Sequence, residues 1–157
     1  MDLSIKLDDY KLNIRTCGII IHNGKVLLHR DINSDHYALI GGRIRLGEDS
    51  AEAVKREILE ETGKEVIITG YIATIENFFK MKEFKYHELL FVHKVEFVNE
   101  EDKKIEEIIK NIEGRKELQY EWIKLEELDS VNVLPAIIKE ALKNKDLPVH
   151  IINNELK

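Results

Sequence analysis

The segment from Gly42 to Gly63 constrains this chain more than any other part of its sequence. Asp49 and Ser50 are N-cap candidates, and Gly63 stands where a helix can end in a left-handed residue. Between these signals, apolar side chains recur at i, i+3 and i+7, the spacing of one flank of an amphipathic helix. They are Ala51, Val54 and Ile58. The segment therefore predicts a helix over residues 49–62 that packs one flank against another layer of the protein.

Three glutamates occupy the last part of the predicted helix: Glu57, Glu60 and Glu61. Residues at i, i+3 and i+4 share a helix face, so the three carboxylates are expected on one side. This arrangement disfavours the helix, because like charges at these spacings cost about 0.2–0.5 kcal/mol per pair. The helix dipole also disfavours anions in the last turn. Arg56, four residues before Glu60, offsets part of the repulsion.

Two interpretations of this acidic face compete. Glutamate is abundant in the chain, and most Glu-rich helix faces are simply solvated surface. Clustered carboxylates are also ligands of Mg²⁺ and Mn²⁺, and Mg²⁺ usually combines one or two carboxylates with substrate phosphates. A bound cation would offset the repulsion, polarise a phosphoryl oxygen and lower the pKa of a bound water. The second interpretation makes this face a site for a polyphosphate.

The charge balance limits the classes of ligand and location. Thirty acidic and twenty-four basic residues give a net charge of −6, which argues against unspecific nucleic-acid binding because that needs a field of Lys and Arg. Cys17 is the single cysteine, which excludes an intramolecular disulfide and a cysteine-based zinc site. The charged first ten residues do not resemble a signal peptide, and no apolar run approaches the ~20 residues that span a bilayer. We expect a soluble, cytoplasmic protein with no membrane association.

The rest of the sequence reads as strands followed by a second helix. The strand-like runs are residues 12–21, 26–28, 66–79, 86–98 and 118–125. Asn23-Gly24 is a strong hairpin signal between the first two runs, and residues 80–85 read as a second hairpin connection. Residues 135–142 predict a helix with a proline near its first turn, and the charged stretch 99–114 fits either a loop or a solvated helix. The pattern predicts a mixed sheet covered by helices, an α/β or α+β fold.

The helical segment resembles the Nudix box, G-x5-E-x7-R-E-U-x-E-E-x-G-U, in which U is aliphatic. The positions up to the last are filled by Gly42, Glu48, Arg56, Glu57, Ile58, Glu60, Glu61 and Gly63. The final U is Lys64, a departure at a packing position rather than at a ligand. Segments outside the box share the likeness: Tyr37-Ala-Leu-Ile-Gly-Gly, Ile75-Glu-Asn-Phe-Phe, Tyr86-His-Glu-Leu-Leu-Phe and Glu121-Trp-Ile-Lys-Leu-Glu-Glu-Leu. The chain thus resembles the Nudix (MutT-like) hydrolase family, as a single domain over residues 1–157 with its box at 42–64.

The resemblance implies an α-β-α sandwich around a mixed β-sheet, with the box as a loop–helix–loop. Nudix enzymes hydrolyse a nucleoside diphosphate linked to another moiety, through metal-assisted attack of water on a pyrophosphate bond. The implied cofactor is Mg²⁺ or Mn²⁺, and the implied partner is a small nucleotide-type substrate. The alternative is a catalytically silent nucleotide-binding or regulatory module with the same fold. The intact set of box glutamates counts against that alternative.

The resemblance also assigns roles to individual residues. Glu57, Glu60 and Glu61 match the metal-binding glutamates, and Gly41 matches the position that can offer a backbone carbonyl to a metal. Arg56 matches the arginine that orients the glutamates. The catalytic candidates are therefore Glu57, Glu60 and Arg56.

Three further box residues match positions that shape the motif. Glu48 matches the loop glutamate that holds the loop in place, and Gly42 and Gly63 match the positions where the backbone turns. The general base is either Glu57 or a carboxylate outside the box. The candidate bases and ligands outside the box are Glu88, Glu100, Glu101 and Asp102, although a solvated acidic side chain is the commoner reading of each.

Four arginines near the box are candidates to meet substrate phosphate or base: Arg15, Arg30, Arg43 and Arg45. For each, ordinary surface arginine is the competing interpretation. The sequence leaves open the identity of the nucleotide and the number of metal ions. A homodimer is a reasonable expectation for a small enzyme.

Overall fold

The computed structural model describes residues 1–103, 109–110 and 118–157. Within these residues the strands form two sheets. The strands are β1 Ser4–Leu7, β2 Tyr10–Ile19, β3 Ile21–His22, β4 Lys25–Asp31, β5 Ile40–Arg43, β6 Val66–Met81, β7 Phe84–Phe97, β8 Ile109–Lys110, β9 Leu118–Lys124 and β10 His150–Asn154. The helices are α1 Ser50–Thr62, α2 Glu100–Lys103 and α3 Ile137–Lys143, with a 3₁₀ helix over Leu125–Ser130.

The larger sheet is mixed, as the sequence predicts. Its strand order is β1-β2-β7-β6-β10, with β5 paired to β2 beside β1. The β2–β7 and β6–β10 pairs are parallel, whereas β1–β2, β2–β5 and β6–β7 are antiparallel. The smaller sheet has the order β3-β4-β9-β8. Its first hairpin turns at Asn23-Gly24, where both residues have positive φ, which confirms the hairpin signal.

The helices cover the two faces of the larger sheet. On one face, Val54 and Ile58 of α1 belong to a buried cluster with Ile40 and Val95. On the other face, side chains of the 3₁₀ helix and of α3 bury themselves against β6, β7 and β10. The members of that second cluster include Leu128, Ile138, Ile75, Val92 and Ile151. These layers form the α-β-α sandwich implied by the resemblance, so the predicted fold class is confirmed.

The helix that carries the box agrees with its local sequence signals. Asp49 accepts hydrogen bonds from the backbone N–H groups of Ala51 and Glu52, both at 2.9 Å, which satisfies two otherwise unpaired donors. The helix ends at Thr62, and Gly63 follows with φ 70°. Its buried side chains include Val54 and Ile58, two of the three residues of the predicted apolar flank, whereas Ala51 is only half-buried.

Other boundaries differ from the sequence predictions. The turn between β6 and β7 is shorter than residues 80–85, because the strands continue to Met81 and resume at Phe84. The last helix begins at Ile137, two residues after the proline. The stretch 99–114 contains α2 and β8, and its residues 104–108 and 111–114 lie outside the described part. In the described residues, no helix is long and apolar enough to cross a membrane.

Candidate active site

The glutamates of α1 lie beside strand β5, and the contact is closest at Gly42. A Cβ atom built on Gly42 would lie 2.2 Å from Cδ of Glu57, so the carboxyl group of Glu57 rests where any other residue would place its side chain. Gly41 is equally confined, because its Cβ would lie 2.1 Å from the carbonyl oxygen of Thr16 on β2. The two glycines therefore allow β5 to fit between β2 and the carboxylates of α1.

Arg56 joins the loop before α1 to the acidic face of the helix. Its Nε and Nη2 donate to the two carboxylate oxygens of Glu48 at 2.7 and 2.9 Å. Its Nη1 donates to Glu57 at 2.6 Å and to Glu60 at 3.0 Å. Nη2 also donates to the carbonyl oxygen of Arg43 at 3.1 Å. One guanidinium group thus contacts three of the box carboxylates.

Glu48 is held from two directions. Besides the bidentate contact with Arg56, Oε2 accepts the backbone N–H of Arg45 at 2.9 Å. The hydrogen bonds from Arg56 are the main reason why the pKa of Glu48 falls from 4.5 to about 2. The charged carboxylate is therefore the form that closes the loop onto the helix.

Replacing Glu48 by Gln is expected to destabilise the fold by about 1.5 kcal/mol at pH 7, since it removes hydrogen bonds between charged groups. Because the folded pKa of Glu48 is depressed, its contribution is complete above about pH 4.5 and is lost as pH falls towards about 2. The difference between wild type and E48Q in urea unfolding should therefore be smaller at pH 3 than at pH 7. An equal difference at both pH values would contradict this account.

The other two glutamates of the acidic face have different surroundings. Glu60 is one-third exposed and accepts hydrogen bonds from Arg45 Nη2 at 3.1 Å as well as from Arg56. Glu61 is buried, and its Oε2 accepts a hydrogen bond from the hydroxyl of Tyr120 at 2.8 Å. His29 Nδ1 lies 3.4 Å from the same oxygen. Side-chain exposure on the acidic face therefore decreases from Glu60, which reaches solvent, to Glu61, which lies in the interior.

Glu57 precedes both of these glutamates on α1, and its surroundings disfavour its charged form. Burial raises its pKa above the ordinary value, Arg56 opposes the rise, and the charges of Glu61 and Glu60 add to it. The three carboxylates offer the hard oxygen donors that Mg²⁺ and Mn²⁺ prefer. Among the described residues, however, no three side chains of His, Cys, Asp or Glu stand together as a ready metal site. The donor chemistry fits a divalent cation, and the arginines partner Glu57 and Glu60 in this structure.

The family model described as NUDIX domain matches residues 12–144. The chain belongs to the NUDIX domain family. This assignment confirms the resemblance of the box to the Nudix family. It also confirms the predicted enzyme class, a Nudix pyrophosphohydrolase. No match was found among curated protein sequences.

Solved structures support the Nudix fold. A MutT protein from Methanosarcina mazei Go1 superposes with a TM-score of 0.61 at 24% identity, over 88% of this chain and 94% of that one. An ADP-ribose pyrophosphatase from Streptococcus suis gives 0.61 at 13% identity, over 90% and 98%. A UDP-X diphosphatase also gives 0.61, at 18% identity, and this chain covers 66% of it with 88% of its own length. At these identities the similarity shows the fold.

The departure of Lys64 from the Nudix pattern has a structural explanation. Lys64 follows the helix cap at Gly63, and its Nζ donates to Oδ1 of Asp102 on α2. Both side chains are mostly buried, with 18% and 15% exposure. An aliphatic residue at this position would leave Asp102 without this partner. Asp102, a candidate ligand outside the box, is thus engaged in an ion pair.

The remaining carboxylates outside the box have mixed surroundings. Glu88 is buried and accepts a hydrogen bond from Asn77 at 3.3 Å, and Arg15 lies 3.8 Å from its other oxygen. Glu100 pairs with Lys103 within α2 at 2.5 Å. Glu101 is exposed beside it on the same helix. None of these contacts joins a carboxylate to the glutamates of the Nudix box.

The arginines near the Nudix box divide into two groups. Arg45 contacts Glu60, and Arg43 contributes its carbonyl oxygen to Arg56 while its side chain lies 3.7 Å from Asp2. Both therefore contact residues of the Nudix box. Arg15 is placed beside Glu88, and the guanidinium of Arg30 lies 5.3 Å from the ring centre of Tyr37. Neither of these two contacts involves a carboxylate of the Nudix box.

Two residues of the site, Tyr120 and His29, were not predicted from the sequence. They are paired across the antiparallel β4 and β9 strands, and both approach Glu61. Tyr120 is separated from Glu61 by 59 positions along the chain. Only the register of two strands and the packing of α1 bring them together, so no local pattern could have indicated them.

Proposed function

We propose that the protein is a divalent-metal-dependent hydrolase that cleaves a pyrophosphate bond in a nucleoside diphosphate linked to another moiety. We also propose that residues 1–157 form one Nudix domain. The observation that supports this function most strongly is the position of Glu57 against Gly42, with Glu60 and Glu61 one turn further along the same face of α1. Burial and the neighbouring carboxylates disfavour the charged form of Glu57 and raise its pKa, so a bound cation would stabilise the ionised carboxylate.

The box residues have distinct roles in this proposal. Glu57, Glu60 and Glu61 would hold Mg²⁺ or Mn²⁺, with the backbone carbonyl of Gly41 as a further donor. When bound, the metal polarises a phosphoryl oxygen and makes water a better nucleophile. Arg56 fixes the directions of Glu57 and Glu60 through its two Nη1 hydrogen bonds. The general base that accepts the proton of the attacking water is Glu57 or a carboxylate outside the box.

The proposed substrate class is taken from the activities of two proteins with a similar fold. One is a UDP-X diphosphatase and another is an ADP-ribose pyrophosphatase. Both names describe cleavage at a diphosphate group. Nucleoside diphosphates with a substituent on the outer phosphate are therefore the first compounds to test, followed by nucleoside triphosphates. A homodimer and a cytoplasmic location stay predictions.

A nucleotide panel tests the proposed function directly. Purified protein is incubated with nucleotide sugars, dinucleotides and nucleoside triphosphates in Mg²⁺, in Mn²⁺ and in EDTA, and the release of nucleoside monophosphate is measured. We expect a product from at least one compound that requires the metal. Binding of a nucleotide without any product in either metal would instead favour the silent binding module.

A further inference from the structure

The carboxyl group of Glu61 is anchored at one oxygen from inside the protein. Its Oε2 accepts the 2.8 Å hydrogen bond from the hydroxyl of Tyr120, whose side chain is fully buried. His29 Nδ1 approaches the same oxygen at 3.4 Å, and its side chain is 13% exposed. Tyr120 and His29 face each other across β9 and β4, with ring centres 5.7 Å apart. Tyr120 on β9 therefore holds one carboxylate oxygen by a hydrogen bond, and His29 on β4 lies close to the same oxygen without one.

The second oxygen of Glu61 has different surroundings. Among the described residues, Oε1 accepts no hydrogen bond and forms no ion pair. Glu57 and Glu61 are four residues apart on α1, so their side chains lie on the same helix face, and the charge of Glu61 adds to the raised pKa of Glu57. Glu61 therefore has one oxygen anchored in the interior and one without a partner beside Glu57.

The strand that carries His29 is also joined to the loop that leads into the box. The backbone N–H of His29 donates to the carbonyl of Ala38 at 2.9 Å, and the N–H of Ala38 donates back at 2.8 Å. Ala38 precedes β5 and its Gly41-Gly42 pair by only a few residues. Strand β4 therefore contacts both Tyr120 of β9, which binds Glu61, and the segment that leads into Gly41 and Gly42 of β5.

We propose that Tyr120 is a positioning residue for Glu61. By donating to Oε2, its hydroxyl fixes the carboxylate rotamer and leaves Oε1 available to the divalent cation that Glu57 and Glu61 would hold. This inference rests on the proposed metal-dependent function. Partners that orient a metal ligand typically change metal affinity or activity about 10- to 100-fold when removed. A neutral hydroxyl suits the task, because it binds the charged carboxylate without competing with the cation for its charge.

The test compares Mn²⁺ binding to wild type, Tyr120→Phe and Glu61→Gln, measured as the free Mn²⁺ signal in electron paramagnetic resonance. Tyr37→Phe is the matched control, since its hydroxyl also donates to a glutamate, Glu121, at 2.8 Å. We expect Y120F to weaken Mn²⁺ binding about 10- to 100-fold and Y37F to leave it unchanged. In Y120F, kcat should fall at saturating Mn²⁺ while KM for the nucleotide stays within about twofold of wild type.

The outcomes separate this inference from the proposed function. If Y120F unfolds more easily in urea but binds Mn²⁺ as wild type does, while E61Q loses binding, Tyr120 has only a structural role. The inference is then wrong, and the proposed function stands. If wild type neither binds Mn²⁺ nor shows metal-dependent hydrolysis, both are wrong.

A second measurement does not depend on the folding of Y120F. Mg²⁺ is titrated into wild type labelled at the tyrosine Cζ carbons, with Y37F used to assign the control resonance. The Tyr120 resonance should move with the same midpoint as metal saturation, and that of Tyr37 should not. A Tyr120 resonance that stays fixed through metal saturation would overturn the proposal.

Discussion

Replacing Glu57 by Gln is expected to lower kcat by about 10²- to 10⁴-fold, the range found when a residue that acts on the reacting groups is lost. The amide keeps the size of the side chain but carries no charge, so it is a poor ligand for Mg²⁺ and cannot accept a proton. The rate of monophosphate release is measured under saturating substrate and metal, with the best compound from the nucleotide panel.

Glu52→Gln is the matched control for this variant. Glu52 lies on the same helix, its side chain is 63% exposed and it pairs with Lys55. The same substitution there should change kcat by less than about twofold, since exposed i, i+3 pairs contribute only about 0.2–0.5 kcal/mol. If E57Q and E52Q had equal activity, the acidic face would be solvated surface rather than an active site.

Replacing Gly41 by Ala is expected to reduce the free energy of unfolding by about 3 kcal/mol, at the upper end for overpacked substitutions. The new Cβ would lie 2.1 Å from the carbonyl oxygen of Thr16 and 2.6 Å from Cα of Cys17. These are backbone atoms of the paired strand β2, so relief requires the β2–β5 pair to separate. With an m-value of about 2 kcal/mol/M, the urea midpoint should fall by about 1.5 M.

Gly70→Ala provides the comparison, because it adds the same methyl group to another strand of the larger sheet. Its Cβ would lie 3.7 Å from Cβ of Lys94, an ordinary contact distance. We expect a change of less than about 1 kcal/mol for G70A, within the range of substitutions that create no strain. Equal urea midpoints for G41A and G70A would mean that the close approach of β5 to β2 does not limit stability.

The features that the sequence predicted correctly depend on neighbouring residues. Asp49, Gly63 and the Asn23-Gly24 turn act through hydrogen bonds and φ angles within a few positions, so their signals are visible in a single sequence. The spacing of the α1 glutamates is likewise local. For this reason the helix, the first hairpin and the acidic face beside Arg56 were all predictable before the structure was known.

The features that were missed depend on pairing between distant segments. Strand β1 has only four residues and none of them is buried, so its short alternation of polar and apolar residues marks no buried face. Strand β10 lies parallel to β6, with His150 opposite Thr74, a register that no short-range signal encodes. The pairing of Lys64 with Asp102 and of Glu61 with Tyr120 also spans large separations. Such contacts follow from the assembled sheet rather than from residue spacing.

The contacts of α1 with β5 and with Tyr120 of β9 limit whether the Nudix box can be transferred to another protein. Helix α1 has 13 residues, and isolated helices of this length are only marginally stable in water. Its acidic last turns depend on Arg56 and Glu48 from one side and on Tyr120 from the other. A peptide of residues 42–64, or the same residues grafted onto another scaffold, would keep the motif yet lack the partner that orients Glu61. We therefore expect that residues 42–64 need the rest of the domain to hold Glu61 in position.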